Sequence, residues 1–344
     1  MPGLPELVQA LLDPKAYPDS SPGVHPELSQ GVTLMQTQMS LVFLTGDYVY
    51  KVKKPVDLGY LDYTTLEKRH YFCRREVELN CRLCPAAYLG VVPITDNKGH
   101  IQIEGSGRVI EYAVKMHRLP QERMLNVLLA GNQVSGEMIT GVAKILAEFH
   151  KAAETSPAIS RYGNLEIINL DADENFNQTA KNIGRTISQE TYENIKKYTG
   201  AFIKANASLF GKRAAEGRIR DCHGDLHAAH VCFCDNSNIC IYDCIEFNDR
   251  FRYVDVASEI AFLAMDLDNY GRLDLSRSFV DAYVSFSGDE DLVKLLDFYK
   301  CYRAYVRGKV EGFKLDSPLM PEEEKKKALA AAGKYFSLAE GYIR

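Results

Sequence analysis

Apolar positions along the chain change period more than once. Residues 32–35, 41–44 and 48–53 are short apolar or alternating runs, the spacing of strands, and Thr45-Gly46-Asp47 supplies a turn that makes the last two a hairpin. A short helix at 6–12 and a proline-broken linker running to Pro26 are predicted ahead of them. From 63 to 83 the period becomes helical. Leu66, Tyr71 or Phe72, Val77 or Leu79, and Leu83 share one broad face, and Thr64 or Thr65 can cap the start. Strand patterning returns at 101–104 and 109–115, joined by Gly105-Ser106-Gly107. That Gly-x-Gly reads as a hairpin turn, because neither the third glycine nor the helix of a dinucleotide loop follows it. The first third of the chain therefore predicts a mainly antiparallel sheet with one long helix.

From residue 121 the pattern is mostly helical, with helices expected at 138–153, within 175–210, and at 257–265, 275–286, 291–314 and 321–342. One strand pair interrupts it, 231–233 and 238–242, flanking a turn at 234–237. The run Glu322-Glu323-Glu324-Lys325-Lys326-Lys327 puts Glu322 and Glu323 four residues before Lys326 and Lys327, a solvated helix face of favourable polarity. The organisation expected is α+β, with a small lobe over 1–116 and a larger mainly helical lobe over 117–344.

Composition narrows the class. The chain has 344 residues, 46% apolar and 25% charged, which are globular proportions and exclude a collagenous or disordered protein. No apolar run approaches the roughly 18 residues that span a bilayer, and the first twenty residues are acidic and proline-interrupted. A cytoplasmic protein with no membrane association is expected. A net charge of −5 leaves no basic footprint for nucleic acid, which is not expected as a partner. The nine cysteines, several inside apolar runs, are expected as buried thiols of a reducing compartment. Cys81-x-x-Cys84 and Cys232-x-Cys234 each lack the matching second pair of a zinc site.

The chemistry concentrates in His223-Gly224-Asp225-Leu226-His227-Ala228-Ala229-His230, followed by the hairpin and then Ile241-Tyr242-Asp243-Cys244-Ile245-Glu246. Asp225 and Asp243 fall at the two ends of that hairpin, which is expected to bring them close. Paired carboxylates suit phosphoryl transfer, one taking the nucleophile's proton and the other holding magnesium on the nucleotide phosphates.

These residues, in this order, resemble the aminoglycoside phosphotransferase and choline kinase branch of the protein-kinase-like superfamily, whose signature is H-G-D-x-x-x-x-N followed by a strand ending in I-D. The resemblance implies a bilobal kinase-like fold, with Asp225 as catalytic base, His223 bracing the catalytic loop and Asp243 as principal magnesium ligand. One position departs: His230 stands where the family has asparagine. Magnesium prefers oxygen, so either His230 ligates the metal or Asp243 and Glu246 hold it with water while His230 does another job. Lys51 matches the phosphate-binding lysine, with Lys53 two residues on along the same face, and Glu76 matches its carboxylate partner, with Glu78 the second choice. Residues 111–118 resemble the strand that leads to the adenine-binding backbone, near Met116 and His117. Residues 146–150 resemble the large-lobe core helix, and Arg252 and Asp255 are similar to the choline kinase pattern after the metal strand.

The resemblance covers about 32–309. Residues 242–268 also look like a bacterial branch some of whose members carry a separate P-loop domain, but this chain contains no G-x-x-x-x-G-K-[ST]. ATP would therefore bind in the kinase-like site itself. The reaction implied is transfer of the ATP γ-phosphoryl group, with Mg2+, to a hydroxyl of a small molecule.

Plainer readings stand beside these. Lys51 would be an edge-strand lysine, Glu76 a solvated helix residue, His150 packing, and 303–309 surface, with its arginines facing the substrate as the other option. Glu246, Asp249, Asp266 and Asp268 hint at a cationic acceptor, but surface acids are too common for that to count. The rival functions are a nucleotide-binding pseudokinase that has lost turnover through His230, and a metal-dependent hydrolase built on His223, His227, His230, Asp243 and Glu246.

Overall fold

The computed structural model describes residues 3–18, 31–234, 238–316 and 320–343. Most of the linker expected before Pro26 and the centre of the turn expected at 234–237 lie outside them. In chain order the elements are α1 (Leu4–Leu11), β1 (Thr33–Gln36), β2 (Ser40–Thr45), β3 (Tyr48–Lys53), α2 (Leu66–Asn80), β4 (Tyr88–Asn97), β5 (His100–Ile103) and β6 (Arg108–His117). Then come α3 (Leu125–Ala130), α4 (Gly136–Ala152), α5 (Pro157–Ser160), α6 (Leu165–Thr179), α7 (Gln189–Ala205), α8 (Ala207–Ala215), β7 (Ile219–Asp221), β8 (Val231–Phe233) and β9 (Ile239–Ile241). The chain ends with α9 (Asp249–Arg252), β10 (Tyr253–Asp255), α10 (Val256–Asn269), α11 (Leu273–Ser287), α12 (Leu292–Lys314) and α13 (Glu322–Gly341). The chain divides into two compact units, Met1–Met124 with Val231–Asp249, and Leu125–His230 with Arg250–Arg344.

In the first unit six antiparallel strands run in the order β1-β2-β3-β6-β4-β5. Strand alternation gives the sheet two different faces. Leu41, Phe43, Tyr50, Val52, Ile94, Ile103 and Ile110 pack in one core with Leu7 and Leu11 of α1. Each such buried side chain contributes about 1.5–3 kcal/mol. Lys51 and Lys53, one residue out of step with Tyr50 and Val52, therefore point to the opposite face, toward the acids of α2. Five of the six strands follow the alternation expected from sequence. The sixth, β4, escaped it because Gly90 and Pro93 break the pattern. β4 accommodates both, with ladder irregularities at Tyr88/Gly90 and at Ile94/Thr95.

Helix α2 is shorter than the 63–83 expected. It starts where the Thr65 hydroxyl accepts from the Lys68 N–H at 3.3 Å. Cys84, just beyond it, is disulfide-bonded to Cys240 of β9, which corrects the expectation that all nine cysteines are thiols. Their positions, 156 residues apart, are brought together by the β8–β9 hairpin lying over the end of α2, in an apolar cluster with Cys73, Tyr88, Val114 and Cys232.

In the second unit α10 is buried along its length and packs against α11 and α12, while α4 packs on α11. The segment expected as helical within 175–210 is the end of α6 followed by α7 and α8, α7 being started by the Ser188 hydroxyl and ended at Asn206. A two-stranded ladder of β7 and β10 was not foreseen, because three residues per strand carry no readable period. The acidic-basic run pairs Glu322–Lys325, Glu323–Lys326 and Glu324–Lys327, three apart rather than the four expected. Among the described residues no helix is long and apolar enough to cross a membrane.

Candidate active site

Five charged side chains meet in the first unit. Lys51 Nζ lies 2.6 Å from Asp243 Oδ1 and 2.8 Å from Glu76 Oε1. Lys53 Nζ, two residues on and the same way up, lies 2.6 Å from Glu76 Oε2 and pairs with Glu246, which also accepts from the Tyr63 hydroxyl at 2.5 Å. Glu76 thus bridges both lysines, one with each oxygen. Glu78, the alternative partner, points outward to Arg75.

Exposure separates the two lysines. The Lys53 side chain is 1% exposed and Glu76 likewise, whereas Lys51 is 15% exposed and Asp243 40%. Lys53 belongs to a sealed pair, and Lys51 and Asp243 open outward. Burial opposes charge on both lysines, yet the surrounding acids outweigh it and hold both ammonium groups well above the ordinary lysine value, Asp243 first for Lys51 and Glu246 first for Lys53. Burial would raise the Glu76 carboxyl, and Lys51 and Lys53 together hold it below its usual value.

The chain past β9 is fixed by backbone contacts. Asp243 has φ of 65°, in the left-handed region, which asparagine and aspartate tolerate better than other side chains. Its N–H faces the Tyr88 hydroxyl at 3.3 Å, and the next N–H, of Cys244, donates to Asn80 Oδ1 at 2.8 Å. Asn80 Nδ2 in turn donates to the carbonyl of Glu76 on α2. The helix that carries Glu76 therefore also positions the segment that carries Asp243. Met116 is opposite Val49 on β3 and Tyr88 on β4. The His117 ring stacks on Tyr48 with centroids 5.5 Å apart, and the backbone N–H of His117 donates to the Ala87 carbonyl at 2.8 Å.

In the second unit the His223-Gly224-Asp225 loop leaves β7 and is held from below. Buried Glu259 accepts from the N–H groups of His223 and Gly224, at 2.8 and 2.7 Å, through one oxygen, and its other oxygen lies 2.7 Å from His150 Nε2. Burial alone would raise its carboxyl, but these partners, His150 first, bring it down to about 2. Gly224 has φ of 90°, so the turn needs glycine there. Arg303 on α12 donates to the Gly224 carbonyl at 3.3 Å and to the Ser258 hydroxyl at 3.0 Å, and Asp266 accepts from the Ala228 N–H at 2.8 Å.

Asp225 is half-buried, with His227 Nε2 3.6 Å and His230 Nδ1 3.7 Å from its Oδ2. Burial would raise its carboxyl, and His227, His230 and Arg307 hold it well below the usual value instead. Ligand atoms of Asp225, His227 and His230 lie within 4.8 Å of one another, and His230 Nδ1 is 2.9 Å from the Asp225 carbonyl. His223 is buried, its Nδ1 3.3 Å from the Asp225 N–H.

Several residues were misjudged from sequence. Arg303, expected at the surface, is buried and braces the loop; His150 is buried as expected, but as the partner of Glu259 and of the Tyr283 hydroxyl. Three of the four acids that hinted at a cationic acceptor are committed elsewhere: Glu246 to Lys53, Asp266 to the loop and Asp268 to Lys300. Arg252 and Asp255 are buried in ion pairs with Asp221 and Arg213. Lys53, Tyr63 and Glu259 were not assigned roles. For Lys53 the signal was present, since it shares Lys51's face.

No family model matches the chain. Uncharacterized proteins of Mycobacterium tuberculosis and Mycobacterium bovis are 33% identical over 294 residues, 85% of this chain and 57% of their own length, so the chain spans little more than half of these relatives. Among solved structures, a choline/ethanolamine kinase family protein from Mesorhizobium loti superposes with a TM-score of 0.55 at 12% identity, covering 98% of this chain and 99% of that one. The GDP complex of aminoglycoside 2'-phosphotransferase-IIIa gives 0.51 at 13% identity, covering 89% and 92%. With its antiparallel-sheet part bearing one long helix and its larger helical part, this chain has the protein-kinase-like fold of the choline kinase and aminoglycoside phosphotransferase structures.

Proposed function

We propose that the chain transfers the γ-phosphoryl group of ATP to a hydroxyl of a small molecule, with magnesium. The observation that carries this reading is Lys51 held between buried Glu76 and the outward-facing carboxylate of Asp243. An ammonium so placed suits the α and β phosphates, and a hard carboxylate oxygen beside it suits magnesium. Asp243 would hold the ion, with His230 as the second ligand, and the bound ion would neutralise charge on the phosphate oxygens; Glu246, the other ligand expected from sequence, is spent on Lys53 and Tyr63. Backbone at Met116 and His117 would face adenine.

In this reading Asp225 orients the acceptor hydroxyl and takes its proton as that oxygen forms its bond to the γ-phosphorus. The bond from the γ-phosphorus to the bridging oxygen breaks, and its electron pair leaves with ADP. The low carboxyl of Asp225 keeps it ionised for that task. His223 and Glu259 position the loop, and most of the rate would come from positioning and charge neutralisation. No nucleic acid or membrane partner is part of the proposal. The test is a screen of hydroxyl-bearing acceptors reading ADP release with Mg-ATP. Acceptor-dependent release supports the reading, and its absence across the panel, with tight ATP binding, favours a pseudokinase.

A further inference from the structure

Beside the Asp225 loop lies a guanidinium, that of Arg307, with one donor left unsatisfied. Arg303 and Arg307 are one helical turn apart on α12 and therefore share a face, and Arg303 touches the Gly224 carbonyl immediately before Asp225. Arg307 lies beside the same loop. Its guanidinium is 5.6 Å from the centroid of the Tyr335 ring, the Tyr335 hydroxyl is 3.4 Å from Asp266, and Asp266 accepts from the Ala228 N–H of the loop. Yet the Nε of Arg307 is buried and has no hydrogen-bond partner among the described residues. A buried guanidinium N–H without an acceptor is costly, and such a donor is the place where an anion is expected.

Asp225 and Asp266 attract the Arg307 guanidinium, but neither accepts from its Nε, and Asp266 accepts from the loop and from Tyr335. We infer that Arg307 binds a carboxylate or phosphate group carried by the acceptor, so that the substrate class is an anionic hydroxy compound such as a hydroxy acid or a sugar phosphate. The inference rests on the phosphotransferase reading for the word acceptor, but the anion site itself does not. The mutual influence of Arg307 and Asp225, each favouring the other's charged form, agrees with their being neighbours.

The same donor chemistry could serve a nucleotide phosphate, and the test separates the two. Binding of D-glycerate and of glycerol 3-phosphate, with glycerol as neutral control, is measured calorimetrically on the full chain. Wild type, Arg307→Lys, Arg307→Gln and Lys51→Ala are compared, and ATP binding is measured alongside. The expected result is binding of at least one anion and not of glycerol. Affinity should fall about tenfold or more in Arg307→Gln and measurably in Arg307→Lys, which keeps the charge but lacks Nε. It should be unchanged in Lys51→Ala, and ATP affinity should be unchanged in both Arg307 variants. Three results would overturn it: no anion binding by wild type, anion binding intact in Arg307→Gln, or ATP binding lost with it. Circular dichroism identifies a misfolded glutamine variant, in which case Arg307→Lys decides. Absence of ADP release with every acceptor would count against the phosphotransferase reading alone, leaving the binding result to stand.

Discussion

Lys51 Nζ and Asp243 Oδ1 lie 2.6 Å apart although 192 residues separate them in the chain. Two local facts make this possible. Strand alternation turns Lys51 away from the apolar core that receives Tyr50 and Val52, and the left-handed backbone of Asp243 turns its carboxylate back toward β3 after β9 has ended.

The two lysines of β3 should fail differently. Lys51→Ala removes a half-open cation and is expected to weaken ATP binding and lower turnover at modest cost in stability. Lys53→Ala leaves buried Glu76 and Glu246 short of a counter-ion, which costs about 3–5 kcal/mol. Chemical denaturation and ATP titration of both variants check this; a Lys53→Ala protein as stable as wild type would contradict the sealed pair.

Asp243→Asn keeps a side chain that tolerates the left-handed backbone but removes the carboxylate. Magnesium-dependent nucleotide binding is expected to drop at least tenfold with stability changed by less than about 1 kcal/mol. Asp243→Val, β-branched at φ of 65°, should in addition lose about 1–3 kcal/mol. Thermal denaturation with and without Mg-ATP separates the two effects.

His230 tests which metal the site prefers. If its imidazole ligates the ion, manganese should be favoured over magnesium, and His230→Asn should shift the activity ratio toward magnesium while activity persists. If its contact with the Asp225 carbonyl is its whole role, the ratio stays fixed and only stability or turnover changes.

Glu259 sets an acid limit. Its carboxyl lies at about 2 in the folded chain against 4.5 ordinarily, so its stabilising contribution is complete above about pH 4.5 and disappears as pH falls toward 2. Glu259→Gln should therefore be less stable than wild type at pH 7, by roughly 3 kcal/mol. The gap should narrow progressively below pH 4.5. Denaturation midpoints of both proteins between pH 7 and 3 measure it, and a gap that widens in acid would show the wrong sign.

How much of this was legible in the sequence depended on whether the signal was local. The hairpin at 48–53, the helix bearing Glu76 and the ladder of 231–233 with 239–241 follow from alternation and helical period, which short windows display. Strand β4 was hidden by Pro93 and Gly90, and β7 and β10 by their length. Glu76 was preferred over Glu78 from sequence, but its second partner, Lys53, the last residue of β3, was given no role there. The Cys84–Cys240 bond and the buried bracing by Glu259 and Arg303 arise from packing between segments far apart in sequence, which no window contains.

The central claim is that Asp225 is the base of an acceptor-dependent phosphoryl transfer. It is tested most directly by ADP release from Mg-ATP across the acceptor panel, wild type against Asp225→Asn, with ATP affinity measured in parallel. The account predicts acceptor-dependent release by wild type and a fall of roughly 100- to 10,000-fold in Asp225→Asn, with ATP affinity unchanged. Acceptor-dependent release that persists in Asp225→Asn at the wild-type rate would contradict it.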